Sequence, residues 1–466
     1  MIDINDIEPS STICALSTPM GKGAIAIIRL SGSNALRITD KIFVFSKKDF
    51  NIFSAKSHTI HLGNIVDENK EVIDQCLISI FLSPKTYTGE DMVEFSLHCS
   101  KYIIKRTLEL LLNNGARLAQ KGEFTKRAFL YGKMNLSQAE AVADLIQSDS
   151  RAAHSLAIKQ LKGNYNDTLQ SLRKQLLNIA SLMELELDFS EEDVEFFNRD
   201  ELLSLLDNIR NTIQSLISSY KQGNAFKEGV PVSIIGKPNV GKSTLLNVIL
   251  NDKRAIVSDI EGTTRDTLEE RINLKGVDIR FIDTAGIRNS TNIIEQEGIK
   301  RTFKAVEESL IVILLVDISR SFLSDVKKDI EELKNKVSFE NKNLILVLNK
   351  IDAIDSIDEG WQELNPIFIS AQKNENINEL LERIIEIIRP NDINDKVFIS
   401  SLRHSYALKD TLASINDIEQ GFKNLLPTDI ITIDVRKALY HLGEITGEIT
   451  NEDILSNIFS QFCIGK

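Results

Sequence analysis

Gly236-Lys-Pro-Asn-Val-Gly241-Lys242-Ser243 fits the pattern G-x-x-x-x-G-K-[ST], and its flanks supply the context the pattern requires. Val232-Ser-Ile-Ile235 before it is short and apolar, as a buried strand is. Ser243 to Leu250 after it reads as a helix. A strand, a tight loop and a helix must therefore follow one another here. Glycines let backbone N–H groups close around phosphate oxygens, and the helix N-terminus adds positive partial charge. Asn239, Val240, Gly241, Lys242, Ser243 and Thr244 are the expected phosphate-side residues. In such a loop the lysine reaches the β- and γ-phosphates and the serine ligates Mg²⁺.

Base-reading elements follow in order. Asp283-Thr284-Ala285-Gly286 comes after the apolar run Ile279–Ile282, which puts Asp283 near the metal and Gly286 near the γ-phosphate. Asn349-Lys350-Ile-Asp352 comes after Leu344–Leu348. The Asp352 carboxylate is suited to accept two hydrogen bonds, from guanine N1–H and the 2-amino group. Adenine lacks that donor pair, and a site built for it rejects the analogue. Ser370-Ala371-Gln372, after Ile367–Ile369, resembles the loop that supports guanine O6. Three short motifs, each at the end of an apolar strand, specify a guanine-nucleotide site.

The chain has 466 residues, about three domains by the length prior. It is 42% apolar and 26% charged, as soluble globular proteins are. No apolar run approaches the ~20 residues that cross a bilayer, and the acidic start Met1–Glu8 lacks a signal-peptide layout. The expected location is the cytoplasm, with no membrane partner. Cys14, Cys76, Cys99 and Cys463 have no C-x-x-C spacing, so neither a disulfide framework nor a zinc site is indicated. His58-Thr-Ile-His61 has metal-like spacing but no third ligand nearby, and reads as structural. A net charge of −12 argues against broad non-specific nucleic-acid binding. Local basic patches remain open at Lys101, Lys105 and Arg106, or at Lys121, Lys126 and Arg127.

Four segments are expected. Residues 1–118 mix strands (Ala24–Leu30, Cys76–Leu82, Met92–His98) with a helix from Tyr102 to Leu112, an α+β domain. In Met92–His98, Val93, Phe95 and Leu97 alternate with Glu94, Ser96 and His98, the period of a strand with one wet face. Residues 119–225 are helical: Leu202, Leu206, Ile209, Ile213, Leu216 and Tyr220 form a helical stripe. Gly223 and Gly229 are expected to break it. Residues 226–389 alternate strands and helices, a largely parallel doubly wound sheet. Residues 390–466 return to helix. Helical sequence on both sides of a complete nucleotide domain suggests that this domain is inserted into a helical one; two independent helical tails are the alternative.

In Ras-like GTPases the residue after Asp-x-x-Gly is a glutamine that orients the attacking water. Here it is Ile287. Either hydrolysis is slow or another group performs the task. Asn239 and the loop Ser258-Asp259-Ile260-Glu261-Gly262-Thr263-Thr264 offer oxygens to a monovalent cation, which would supply the charge of an arginine finger. The alternative is that Asn239 and Ser258 only hold loop geometry. Thr264 would be the switch threonine on Mg²⁺.

The flanking motifs are specific. The chain resembles, over essentially its whole length, the tRNA modification GTPase family called MnmE or TrmE. The resemblance rests on Ala24–Gly32, Tyr87-Thr-Gly-Glu-Asp91, Gly122-Glu-Phe-Thr-Lys-Arg-Ala-Phe-Leu130 with Leu136–Ile146, and the terminal Phe462-Cys-Ile-Gly-Lys466. It implies an N-terminal folate-binding domain that dimerises, a split helical domain and an inserted Ras-like GTPase domain. It implies action with a flavoprotein, MnmG (GidA), which alone carries FAD, in a heterotetramer or larger assembly. The product would be tRNA bearing an aminomethyl-type group at C5 of the wobble uridine, made with a one-carbon unit from 5-formyl- or 5,10-methylene-tetrahydrofolate and with GTP hydrolysis.

By matching positions, the resemblance assigns K⁺ to Asn239, Ser258, Ile260 and Thr263, and Mg²⁺ to Ser243 and Thr264. Catalytic roles fall to Lys242, Thr264 and Glu295, the last as the acidic residue that helps position water. Folate would be held by Arg29, Glu94, Lys133 and Lys466. A carboxylate suits a pterin's N3–H and 2-amino edge, and Arg and Lys suit its glutamate tail. Cys463-Ile-Gly-Lys466 formally fits a prenylation signal, but the family ending accounts for it better. Two other readings compete: an Era-like switch in ribosome assembly, which would want a basic RNA-binding module, and a folate-binding protein with a degenerate GTPase, which the intact nucleotide motifs oppose.

Overall fold

The computed structural model describes residues 11–188, 199–251, 270–282, 303–339, 342–389 and 396–466. They form two compact units. One draws on the chain up to Ala143, on Leu161–Ala180 and on Val435–Lys466; the other comprises Asp144–Gln160 and Ser181–Asp434. The helical sequence on either side of the nucleotide segment contributes to both.

The first unit is built on a seven-stranded sheet: β1 (Ile13–Leu16), β2 (Ile25–Ser31), β3 (Phe43–Phe45), β4 (Thr59–Val66), β5 (Val72–Phe81), β6 (Met92–His98) and β7 (Arg117–Leu118). Its order is β3-β4-β5-β6-β2-β1-β7, antiparallel throughout except for the β1–β7 pair. The period of two read in Met92–His98 is the pleat itself: Val93, Phe95 and Leu97 are buried in one core with Ile28, Leu30, Ile78 and Ile80. The helices α1 (Ala35–Ile42) and α2 (Lys101–Asn113) place Ile38, Ile104 and Leu110 in that core. The other face carries Arg29 and Glu94. Near β1 it is covered by Phe124 of α3 (Glu123–Leu130), which joins Ile13 and Ala15 in a small core. At the β3–β5 end Val44, Ile60, Leu62 and Leu77 stand exposed.

The helices α4 (Leu136–Gln147), α5 (Arg151–Leu161), α6 (Asn164–Asp188) and α7 (Arg199–Glu228) follow. All of the expected stripe on α7 from Leu202 to Leu216 is buried. The break expected at Gly223 is a correction: α7 runs through it and ends at Gly229, whose φ is +95°. Gly223 is there for approach, not for termination. A Cβ on it would lie 2.2 Å from the carbonyl oxygen of Ile399.

In the second unit the strands β8 (Val230–Ile235), β9 (Glu270–Leu274), β10 (Val277–Ile282), β11 (Ile311–Asp317), β12 (Asn343–Asn349) and β13 (Ile367–Ile369) form a sheet ordered β13-β12-β11-β8-β10-β9. All pairs are parallel except β9–β10. Every residue of β8 and β11 is buried, as expected of strands covered on both faces. The helices here are α8 (Lys242–Asn251), α9 (Leu323–Lys336) and α10 (Ile377–Ile388); α11 (Leu402–Lys423), α12 (Thr428–Thr446) and α13 (Glu452–Ser460) complete the chain. The fold is thus an α+β N-terminal domain, a helical portion and a doubly wound P-loop sheet. Among the described residues no helix is long and apolar enough to cross a membrane.

Candidate functional site

The phosphate loop leaves the C-terminal end of β8 and enters α8, the place where parallel α/β sheets bind ligands. Its geometry depends on three left-handed residues. Gly236 has φ +152° and a Cβ there would lie 2.2 Å from the Leu315 carbonyl oxygen. Asn239 adopts φ +62°, a conformation asparagine tolerates better than most residues. Gly241 has φ +103°, with Asn349 Nδ2 2.3 Å from where its Cβ would be. Lys242 Nζ donates to the carbonyl oxygens of Gly236 (2.7 Å) and Lys237 (2.9 Å), and burial lowers its pKa. Ser243 and Thr244 follow in the first turn of α8. A serine hydroxyl at this position is a hard oxygen donor, as Mg²⁺ requires.

The residues expected to read the base converge on that loop from β12 and β13. Asn349 bridges the two: its Nδ2 donates to the Val240 carbonyl oxygen (2.8 Å), and its Oδ1 accepts from Ala371 N (2.9 Å). Lys350 sits at φ +68° and its ammonium lies 2.5 Å from Asp317 Oδ2. Burial opposes ionisation of Asp317, but hydrogen bonds from Lys350 and Ser319 hold its carboxyl below the usual carboxylate range. Asp352 Oδ1 accepts from Ser370 Oγ at 2.6 Å, and that bond keeps the Asp352 carboxyl ionised to lower pH than usual. Ser370 Oγ in turn accepts from Lys373 N. One asparagine and one serine thus tie the P-loop, Asp352 and Ala371 together. Asp317 was not singled out from sequence; a carboxylate closing an otherwise apolar strand was the available signal.

The expected residues Ser258, Asp259, Ile260, Glu261, Gly262, Thr263, Thr264, Asp283, Thr284, Ala285, Gly286 and Glu295 lie outside the described residues, as does Ile287.

The residues expected around folate belong to the first unit. Arg29 and Glu94 are cross-strand partners on β2 and β6, and their side chains form an ion pair at 2.7 Å. The Arg29 guanidinium lies over the rings of Tyr87 (5.4 Å) and Phe124 (5.5 Å) and donates to the Gly465 carbonyl oxygen at 3.5 Å. Ser17 Oγ donates to the same oxygen at 3.1 Å. The chain end is therefore seated on its own N-terminal sheet. Ile464 pairs with Lys121, and Gly465, at φ +98°, comes so close to β1 that a Cβ would lie 2.3 Å from the Leu16 carbonyl oxygen. Lys466 is the next residue. Lys133 donates to the Pro84 carbonyl oxygen and lies along Gly89, on the loop that carries Tyr87.

The family-like motifs explain how this corner holds its shape. Arg127 is buried and pairs with Glu90 (2.9 Å) and Glu123 (3.0 Å). Glu123 also pairs with Arg117, Glu90 accepts from Ser31 Oγ, and Tyr87 hydroxyl meets Thr125 Oγ1. Arg127 therefore does not belong to a surface patch with Lys121 and Lys126, and Arg106 is engaged by Glu68 and Glu109. Sequence reasoning missed the roles of Tyr87 and Phe124 as walls for Arg29, although both lie in the quoted motifs.

His58 and His61 do not converge: they engage Ser57 and Thr59. All four cysteines are free; burial pushes the Cys14 and Cys76 thiols up to about 12, with Asp74 adding to the latter.

A family model described as "GTP-binding protein TrmE N-terminus" matches residues 12–133, and one described as "MnmE helical domain" matches residues 136–463. A protein of Christiangramia forsetii named tRNA modification GTPase MnmE is 46% identical, covering 98% of this chain and 99% of that protein. The protein of the same name in Flavobacterium psychrophilum is 47% identical over the same shares. Among solved structures, the G domain of the T. maritima FeoB iron transporter matches 34% of this chain and 98% of its own at 27% identity, with a TM-score of 0.25.

Proposed function

The chain belongs to the tRNA modification GTPase MnmE family, and from that premise we propose that it installs an aminomethyl-type group at C5 of the wobble uridine of certain tRNAs. It is a GTP-binding GTPase of tRNA modification. In the proposed reaction it works with the flavoprotein MnmG, takes a one-carbon unit from tetrahydrofolate and acts in the cytoplasm. The observation that carries the reading is the joint presence, on one chain, of a guanine-reading apparatus and an aromatic-walled Arg29–Glu94 pair closed by the C-terminal tail.

In this reading Glu94 accepts from the pterin edge, while Arg29, Lys133 and Lys466 face the carboxylates. Ser243 and Thr264 would hold Mg²⁺, which would neutralise phosphate charge, and Asn239, Ser258, Ile260 and Thr263 would hold K⁺, which would supply the charge of an arginine finger. Asn239 is suited to a cation: its side-chain amide carries an oxygen, and its backbone takes a left-handed conformation within the loop. Lys242 binds the β- and γ-phosphates, and Glu295 positions water. The remaining proposed GTP contacts are those expected from sequence.

A homodimer through the N-terminal sheet is supported by the exposed Val44, Ile60, Leu62 and Leu77, which share the Arg29 face of that sheet. Contiguous exposed apolar side chains mark interaction surfaces.

Mass spectrometry of tRNA nucleosides from cells lacking the gene tests the function. The C5-modified wobble uridine should disappear and return on complementation. An unchanged nucleoside profile would remove the reading.

A further inference from the structure

The strands β11 and β12 are parallel neighbours whose last residues, Asp317 and Asn349, lie side by side, so Asp317 stands next to the start of the Asn349–Asp352 motif. A carboxylate is a costly group to place there. Asp317 is 5% exposed, and a buried charge persists only when it is paired and hydrogen-bonded. Each of its oxygens has its own donors. Oδ1 accepts from Ser319 N (3.1 Å) and Ser319 Oγ (2.6 Å), and Oδ2 accepts from Lys350 Nζ (2.5 Å). The strand itself needs no such group, since Ile311–Val316 are apolar and buried.

Lys350 is fixed at its backbone as well. Its φ of +68° is a left-handed conformation that a lysine takes only where its surroundings impose it. On one side is Asn349, tied to Val240 and Ala371; on the other is the short 3₁₀ turn Ile351–Ala353, which carries Asp352. With the backbone held, the carboxylate it meets decides where the ammonium sits. The charge of Lys350 is also felt at Asp352, whose pKa is lowered first by the Ser370 bond and further by Lys373 and Lys350. An ammonium seated on Asp352 would form a charge-assisted pair at the oxygens that a guanine's N1–H and 2-amino group need, and that pair would have to break before the base could bind.

We propose that Asp317 is a positioning residue for base selectivity: by holding the Lys350 ammonium, it keeps the Asp352 carboxylate open to the donor pair of a guanine. The proposal rests on the guanine reading of the site. Selectivity is a difference of affinities, and a cation kept off the reading carboxylate preserves that difference.

Equilibrium binding of GDP, IDP and ADP to the full chain with Mg²⁺ tests it. Inosine keeps the N1–H of guanine and lacks the 2-amino group, so the ratio of GDP to IDP affinity reads the Asp352 acceptors. A partly unfolded sample lowers both affinities alike and leaves the ratio unchanged. The unmodified chain should prefer GDP to IDP by about tenfold, the loss of one hydrogen bond to a charged group. Asp317→Asn keeps the shape, removes the charge and should cut that preference by at least about threefold. Adding Lys350→Met removes the competing ammonium and should restore the preference to within about twofold; Lys350→Met alone should preserve it. The proposal falls if Asp317→Asn keeps the full preference, if the double variant stays as low as Asp317→Asn, or if Lys350→Met alone loses the preference. Should Asp317→Asn not fold, Lys350→Met decides: a preserved ratio supports the proposal and a lost one overturns it. An unmodified chain that prefers GDP to ADP but not to IDP removes the proposal and leaves the guanine reading; equal affinity for GDP and ADP removes both.

Discussion

In the proposed reading guanine selectivity depends on Asp352. Its carboxylate is oriented by Ser370 Oγ, and that bond lowers its pKa from the ordinary value. Asp352→Asn replaces one acceptor with a donor, so GTP affinity should fall by at least about tenfold, the loss of roughly one charge-assisted hydrogen bond. Competition between GTP and ATP checks the premise: equal affinity of the unmodified protein for both would sink the guanine assignment. In the same reading Asn239 is the corresponding residue for the cation. GTP turnover should require K⁺ and drop in Na⁺, and Asn239→Ala should lose K⁺ activation. Equal turnover in the two salts, or full activation of the variant, would remove K⁺ from the proposal. Both proposals come from the sequence, because a base or phosphate contact needs particular residues at fixed short spacings.

Among the elements, α7 shows where local reasoning stops. Its apolar stripe was readable from the period of the side chains, and so was the end at Gly229. Gly223 was read as a breaker because glycine costs helix stability, about 1 kcal/mol against alanine. The structure reverses the meaning of that residue, since the carbonyl of Ile399 occupies the space a methyl group would need. Propensity and packing therefore predict opposite signs for Gly223→Ala. Packing should win: overpacking against backbone costs about 1–3 kcal/mol, and thermal unfolding should shift to lower temperature. An unchanged or raised Tm would show that Ile399 can move aside. The motif from Gly122 to Leu130 teaches the same lesson: it was legible as a signature, while the pairing of Arg127 with Glu90 and Glu123, residues that fall in two separate motifs, was not.

Over the molecule as a whole, the C-terminus is the most consequential placement. Ile464 and Gly465 seat the tail against Lys121, Leu16 and Arg29 of the same chain. Deleting the last five residues should weaken 5-formyltetrahydrofolate binding in calorimetry and impair tRNA modification. GTP affinity should stay near normal, because no guanine or phosphate contact is touched. Undiminished folate affinity with normal modification would reduce the tail to a helix end. Whatever depends on contiguous residues could be read before any fold was known: the strand–loop–helix of the phosphate loop, the Asn-Lys-x-Asp element, the parallel sheet and the helical flanks. Backbone geometry and side-chain period are local properties, and they leave a local trace. The meeting of Arg29, Tyr87, Glu94, Phe124 and Gly465, the bridge from Asn349 to Val240 and Ala371, and the pairing of Asp317 with Lys350 leave none. Each joins residues far apart in the chain, and such contacts exist only once burial of the cores has brought those segments together.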